Sequence, residues 1–271
     1  VCVNMLGSPY GTDGPSSINP LTGRPYFFDF PKFTIRDTVR TFIEVRKSLG
    51  IPSVDLLVGS SIGGFHACEW SVMEPDTIKH LLLMATDVRV SAWLSAQTEN
   101  QRMALGADRT FREAGGLNGG MEGLRCARAQ AVLSYRSYDG YDRTQTEIDV
   151  DTLFSGRAAS YQRHQADKLS ARFDAYSYWS LCNTLDSHNI GRGRGGVEAA
   201  LSTIKASTMV IGIDSDCLFP SRVMESWARF IPGSRYCSIT SFFGHDGFLL
   251  EWEQLQAIIG PMLKNQGNCA E

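Results

Sequence analysis

Ser61 stands at the centre of a G-x-S-x-G pattern formed by residues 59–63. A short apolar run precedes the pattern and a segment of helical periodicity follows it, which is the strand-turn-helix context that a nucleophilic serine requires. Glycines allow a tight chain reversal that leaves the serine hydroxyl clear of the sheet. We expect the peptide N–H of Ile62 to donate to a developing oxyanion. The alternative is an ordinary Gly-rich turn between a strand and a helix.

A serine hydroxyl is a poor nucleophile until a base takes its proton. His245 is the candidate base because it lies in a Gly-flanked loop, residues 242–247, between the last predicted strand and the last predicted helix. The alternative for His245 is a solvated surface histidine. The other histidines fall within a helix, at the start of a strand or in a helical insertion: His66, His80, His164 and His188.

The third member of such a site is an acid that orients the imidazole. Asp214 and Asp216 both follow the apolar run Thr-Met-Val-Ile-Gly-Ile at residues 208–213. Spacing alone does not separate them, since one could be catalytic while the other caps a turn. The chain order Ser, Asp, His is the order of α/β-hydrolase triads. The sequence therefore predicts a Ser-Asp-His triad.

The elements that must position these residues alternate between strands and helices, which predicts an α/β fold with a mostly parallel, doubly wound sheet. Thr34 with Asp37 resembles a capping box, and Gly50 suits the end of that helix. No buried strand is evident from about residue 89 to 201, where helical patterns recur. We therefore predict an α/β-hydrolase core at residues 1–88 and 202–271 with a helical cap, or lid, at residues 89–201. Predicted strands lie at residues 1–6, 55–59, 80–86, 208–213 and 235–240, and predicted helices at 35–49, 62–73, 91–105, 121–135, 158–184, 195–204, 221–230 and 248–263.

Composition limits the classes of function. The chain has 271 residues, 43% hydrophobic and 20% charged, with a formal net charge of −3. This balance indicates a large core and gives no electrostatic reason to expect nucleic acid or an anionic membrane as partner. The seven cysteines lack metal-ligand spacing, so we expect free thiols in a reducing cytoplasm and no metal. The Gly-rich stretch at residues 191–196 does not follow a strand and predicts a loop rather than a phosphate-binding motif.

Several ordered motifs resemble the homoserine O-acetyltransferases, a family of α/β-hydrolase-fold acyltransferases. They lie at residues 4–8, 14–23, 30–31, 34–37, 61–64, 69–70, 172–175, 177–178, 186–188, 215–220 and 244–249. The resemblance implies a ping-pong reaction of methionine biosynthesis, with acetyl-CoA as acyl donor and L-homoserine as acceptor. It also implies that Ser61 is the nucleophile, Asp216 the orienting acid and His245 the base.

Two substrate contacts are implied by the same resemblance. Arg172 would bind the homoserine carboxylate and Asp246 its ammonium group, while Tyr178 is a weaker candidate for lining the pocket. The alternatives are an ordinary salt bridge for Arg172 and a helix N-cap for Asp246. The acceptor stays open, because Ser8-Pro9-Tyr10 replaces a Gly-Cys pair of many bacterial members and resembles fungal relatives, one of which acetylates a cephalosporin intermediate.

The chain begins at Val1, in a predicted strand, and family members carry further sequence before that point. We therefore expect an N-terminally truncated chain that lacks the second oxyanion-hole donor and is poorly active or poorly folded by itself; the alternative is a processed terminus. Other functions left open are succinyl transfer, a serine esterase and an inactive copy that acts as a binding partner. A homodimer is the default expectation for assembly.

Overall fold

A four-stranded parallel sheet forms the centre of the computed structural model, which describes residues 1–113, 116–154 and 156–264. The spatial order is β3-β4-β5-β6, and the register pairs Ser60 with Met84, Met84 with Ile211 and Ile213 with Ile239. All four carboxyl ends therefore meet at one edge. The strands are β1 (Ile18–Asn19) and β2 (Arg24–Pro25), which form a separate antiparallel pair, then β3 (Val54–Ser60), β4 (Ile78–Met84), β5 (Ser207–Ile213) and β6 (Arg235–Ile239).

Helices cover both faces of this sheet, as the continuous apolar runs of its inner strands require. They are α1 (Ile35–Ser48), α2 (Ile62–Met73), α3 (Ala92–Ala107), α4 (Arg109–Arg112), α5 (Met121–Ser134), α6 (Tyr138–Gln145), α7 (Arg157–Ser170), α8 (Ala175–Asp186), α9 (Val197–Leu201), α10 (Ser221–Ala228), α11 (Gly247–Leu250) and α12 (Trp252–Lys264). One core cluster joins α1, α2 and α10 to the sheet, and a second joins the opposite face to α12. This doubly wound arrangement confirms the predicted fold class.

The capping signals before α1 are confirmed. Thr34 accepts a hydrogen bond from the Asp37 N–H, while the Asp37 side chain accepts from the Thr34 N–H, so two free donors of the first turn are satisfied. Gly50 follows the helix with a φ of +67°, a left-handed conformation that glycine adopts without steric cost.

The connection between β4 and β5 is a layer of helices, α3 to α9. The described part of residues 85–206 contains no strand. Its helices have their own apolar cluster, which includes Leu105, Phe111, Leu124 and Tyr176. We call this layer the cap; its boundaries at residues 89 and 201 stay a prediction. The predicted helix at 158–184 is two helices, because the chain breaks at 171–174 and Asp174 caps α8 by accepting from the Ser177 N–H.

Two further predictions of regular structure are wrong. Residues 1–6 form no strand, since they make no ladder with β3, and Val1 is 97% exposed. Val3 and Met5 still pack against the core from a loop, which explains the apolar pattern. The last helix breaks at Glu251, between α11 and α12. Among the described residues, no helix has both the length and the apolar character needed to cross a bilayer.

Candidate active site

Ser61 occupies a strained turn between β3 and α2. It is the N-cap of α2 with φ 51° and ψ −129°, a combination that costs a non-glycine residue about 1–3 kcal/mol. The turn is closely packed: a Cβ added to Gly59 would lie 2.4 Å from the Gly63 carbonyl oxygen, and one added to Gly64 would lie 2.3 Å from Thr86 Oγ1. Thr86 Oγ1 donates to the Ser61 carbonyl at 2.7 Å. Gly59 of the motif and the adjacent Gly64 thus have a steric reason, whereas a Cβ on Gly63 would meet nothing within 4 Å.

The structure brings the hydroxyl, the imidazole and one carboxylate into a single hydrogen-bonded chain. Ser61 Oγ lies 2.9 Å from His245 Nε2, and His245 Nδ1 lies 2.8 Å from Asp216 Oδ2. The side chains of His245 and Asp216 are almost fully buried. This geometry allows the imidazole to take the serine proton while the carboxylate holds its tautomer.

Two backbone N–H groups fix the orientation of the Asp216 carboxylate. Its Oδ1 accepts from the N–H groups of Leu218 at 2.7 Å and Phe219 at 3.0 Å, which leaves Oδ2 for His245. Asp214 is exposed, and its Oδ1 accepts instead from the Ser241 N–H at 3.1 Å. The choice that spacing left open is therefore resolved in geometry: Asp216 meets the imidazole, and Asp214 links the loops after β5 and β6.

The position for an oxyanion is next to Ile62. Ile62 is the first residue of α2 and lines the pocket beside Ser61. N–H groups in the first turn of a helix have no intrahelical acceptor, and the helix dipole adds partial positive charge there. This arrangement suits stabilisation of a negative oxygen on a carbon attached to Ser61 Oγ.

A cavity of about 230 Å³ opens over Ser61. We call it the Ser61 pocket. Its wall is largely apolar, with core residues such as Leu218 on one side and cap residues such as Leu94 and Leu185 on the other. Among the described lining residues, Arg128 is the only charged one. The pocket is therefore suited to a small molecule that carries one negative group.

Arg128 was not among the site residues predicted from the sequence. Its guanidinium lies 5.5 Å from the centre of the Tyr135 ring. Its Nε is buried without a hydrogen-bond partner, and no carboxylate in the described part of the chain pairs with it. A signal was present: Leu124, Arg128, Ala131 and Tyr135 share one face of α5 at helical spacing, so a charge falls on an otherwise buried stripe.

The three predicted substrate contacts are placed differently from one another. Tyr178 lines the Ser61 pocket, where its hydroxyl donates to Gln101 Oε1 at 2.7 Å and burial raises its pKa. Arg172 is exposed, lies over the Tyr10 ring at 5.6 Å and hydrogen-bonds the Tyr10 hydroxyl, so it does not line the pocket. The Asp246 carboxylate forms an ion pair with Arg136 and is not part of the lining either.

Two other histidines are buried away from this chain of bonds. Burial lowers the pKa of His66 to about 4 and that of His188 to about 3. His188 stacks on Phe65 with ring centres 4.1 Å apart, and its Nε2 lies 3.2 Å from the Asp87 carbonyl oxygen. Both pack as neutral rings. Among residues 1–113, 116–154 and 156–264, no group of three or more His, Cys, Asp or Glu side chains could hold a metal ion.

Comparisons with known proteins agree with this architecture. A family model described as "alpha/beta hydrolase fold" matches residues 1–251. A homoserine O-acetyltransferase of Chlorobaculum tepidum is 43% identical over 266 residues, covering 96% of this chain and 73% of that protein. One of Cyclobacterium marinum is 40% identical, with 98% and 76% covered. The crystal structure of homoserine O-acetyltransferase from Bacillus anthracis superposes with a TM-score of 0.82 at 26% identity, covering 93% of this chain and 71% of that one.

Proposed function

This chain belongs to the homoserine O-acetyltransferase family, and we propose that it moves an acetyl group from acetyl-CoA to the hydroxyl of L-homoserine. The observation that carries the proposal is the 2.9 Å contact between Ser61 Oγ and His245 Nε2 at the base of a small pocket. We place the reaction in cytoplasmic methionine biosynthesis. The only other small molecule it requires is the acyl donor, so we propose no metal or bound cofactor.

The reaction proceeds in two halves through an acyl-serine. His245 Nε2 takes the proton from Ser61 Oγ as the oxygen attacks the thioester carbonyl, and the Ile62 N–H donates to the resulting oxyanion. Collapse breaks the carbon–sulfur bond, and His245 returns the proton to the departing thiolate. The acceptor hydroxyl then enters, gives its proton to His245 and attacks the acyl carbon. Collapse of this second adduct breaks the bond between the acyl carbon and Ser61 Oγ, His245 returns the proton to that oxygen, and the ester product leaves.

The acceptor's carboxylate is the group that Arg128 is suited to bind. A guanidinium offers two parallel donors to a carboxylate, and a partly buried cation without an internal anion is stabilised when a substrate supplies one. We therefore transfer the role expected of Arg172 to Arg128, with Tyr178 and Gln101 beside it. Asp246 stays our prediction for the ammonium group, with its carboxylate shared with Arg136.

A direct test mixes the purified protein with acetyl-CoA and follows free thiol, with and without L-homoserine. Acetylation of Ser61 releases one equivalent of thiol without an acceptor, whereas acetyl transfer requires that continued release depends on homoserine and is abolished by Ser61→Ala. Repeated turnover without homoserine would identify a hydrolase instead, and thiol release that survives Ser61→Ala would exclude the acyl-serine.

The cation also makes succinyl transfer a specific second candidate, since a guanidinium in the pocket could bind the distal carboxylate of a succinyl group. Arg128→Met separates the two. If Arg128 binds the acceptor, the KM for homoserine measured with acetyl-CoA as donor rises at least about tenfold, because one charged hydrogen bond is lost. If it binds the acyl group, the wild type prefers succinyl-CoA and Arg128→Met reverses that preference.

A further inference from the structure

The loop that carries the base is held by the cap as well as by the core. Residues 134–137, from the last residue of α5 to the N-cap of α6, lie against it; we call them the docking segment. The Ser137 hydroxyl donates to the Phe242 carbonyl, and the Asp246 N–H donates to the Tyr135 carbonyl at 3.4 Å. The same segment touches the acid loop, where Cys217 Sγ lies 3.6 Å from the Ser134 carbonyl oxygen.

The fit between the docking segment and the base loop is close. Gly244, directly before His245, has a φ of +65°, and a Cβ at that position would lie 2.7 Å from both the Arg136 carbonyl carbon and the Ser137 nitrogen. The only charged contact across this interface, among the described residues, joins Arg136 to Asp246. Arg136 Nη2 also donates to the Tyr161 hydroxyl at 3.0 Å, so its guanidinium ties the base loop to α7 of the cap.

From this geometry we infer that Arg136 is a positioning residue: through Asp246 it fixes the loop of His245, so that the base is aligned with Ser61 when the cap is docked. Both charged side chains are about four-fifths buried, at 23% and 21% exposure. Loss of one partner therefore leaves the other charge poorly solvated beside the catalytic imidazole. A shift of about 1 Å in a catalytic group can cost about 10²-fold in rate.

The charges around His245 determine how loss of Arg136 should change the pH dependence of the reaction. His245 faces the Asp216 carboxylate and the Ser61 hydroxyl from the core and the Tyr135 ring from the cap, with Phe219 and Phe248 as its apolar neighbours. Arg128 lies beyond Tyr135. Next to this set, the Arg136–Asp246 pair is neutral as a whole. Removal of the Arg136 charge leaves the Asp246 carboxylate without its partner one residue from His245, and this negative charge favours the protonated imidazolium over the neutral ring.

The test uses hydrolysis of p-nitrophenyl acetate, because that ester requires the acyl-serine chemistry of the proposed function but neither acetyl-CoA nor homoserine. For Arg136→Met we expect kcat/KM to fall about tenfold or more. In the plot of kcat/KM against pH, we also expect the rising limb on the acidic side to move up by about half a pH unit. Asp246→Asn in the same chain should return the limb to its original pH, and Arg136→Lys should do so by restoring the charge. Arg163→Met, on an exposed part of α7, is the matched control and should change neither quantity.

Two results would overturn the inference. One is an Arg136→Met protein whose kcat/KM stays within about twofold of the wild type. The other is a loss of rate with an unmoved pH limb that Asp246→Asn does not correct, which would mean ordinary destabilisation. Failure of the proposed chemistry is distinguishable, since it would show as hydrolysis that survives Ser61→Ala in the otherwise unchanged protein.

Discussion

Asp216→Asn is the substitution whose effect the structure determines in most detail. Oδ1 of Asp216 accepts from two backbone N–H groups, those of Leu218 and Phe219. An asparagine must keep its carbonyl oxygen there, because its amide nitrogen cannot accept. The amide nitrogen then faces His245 Nδ1 in place of Oδ2, and it can only donate.

That donor forces the wrong tautomer on the base. His245 would accept at Nδ1 and carry its proton on Nε2, the atom that must take the proton of Ser61. Loss of the correct tautomer in a serine protease triad costs about 10⁴ in kcat. The same factor corresponds to about 5 kcal/mol of transition-state stabilisation. We expect a loss of this size here, with little change in packing, because the two side chains are nearly isosteric.

The measurement is single-turnover acetylation of Ser61 by acetyl-CoA, followed by mass and by thiol release, at pH 7.5 and at higher pH. Asp214→Asn is the matched control: it lies two residues away, is exposed and contacts the Ser241 N–H rather than the imidazole. It should lose less than about tenfold. A loss below tenfold in Asp216→Asn, or an equal loss in both variants, would refute the assignment of the acid.

Four further predictions concern the scaffold. Gly64→Ala should lower kcat/KM by about 10²-fold in the same acetylation assay, because its Cβ would displace Thr86 from the Ser61 carbonyl. Glu69→Ala should cost about 3–5 kcal/mol in urea unfolding, since this carboxylate is 1% exposed and pairs with two arginines. Stability should fall below pH 6.5, because the unfolded chain binds two protons that buried His66 and His188, with pKa values lowered to about 4 and about 3, do not bind in the native state. Asp87→Asn should steepen that fall between pH 6 and 4, because burial raises the pKa of Asp87 to about 6 and its protonation in the native state offsets one of the two histidines.

The chain offers matched controls for the first two of these. Gly63→Ala should cost far less activity than the substitution at its neighbour, since a Cβ there meets nothing within 4 Å. Glu44→Ala removes a carboxylate that is 71% exposed and should change stability by less than about 0.5 kcal/mol. A flat stability between pH 6.5 and 4.5 would contradict the histidine argument.

The chemical half of the site could be predicted from the sequence because its signals are local. A serine in a Gly-rich turn, an acid after one strand and a histidine after the next each sit at the carboxyl end of a parallel strand. The sheet topology then brings the three loops to the same edge of the sheet, with the end of β4 between the loops of Ser61 and Asp216. What spacing could not decide, between Asp214 and Asp216, depends on which carboxylate the turn after β5 aims at the imidazole.

The binding half could not be predicted in the same way. The cap helices α3, α5 and α8 meet over Ser61 only through tertiary packing. Whether Arg128 or Arg172 faces the pocket therefore depends on how the helices are rotated and not on the residues next to each arginine in the sequence. The strand predicted at residues 1–6 failed for a related reason. An apolar alternation indicates burial, and a loop that packs on the core satisfies it as well as a strand does.

The Ser61 pocket has two walls with different origins. Ser61, Ile62 and Leu218 come from loops of the sheet, whereas Gln101, Arg128 and Tyr178 come from helices of the cap. Outside the docking segment, the cap residues that contact the acceptor can therefore change without altering the groups that carry the covalent chemistry. Exchange of a few positions on α3, α5 and α8 should redirect such an enzyme to another alcohol while its reactive machinery stays untouched.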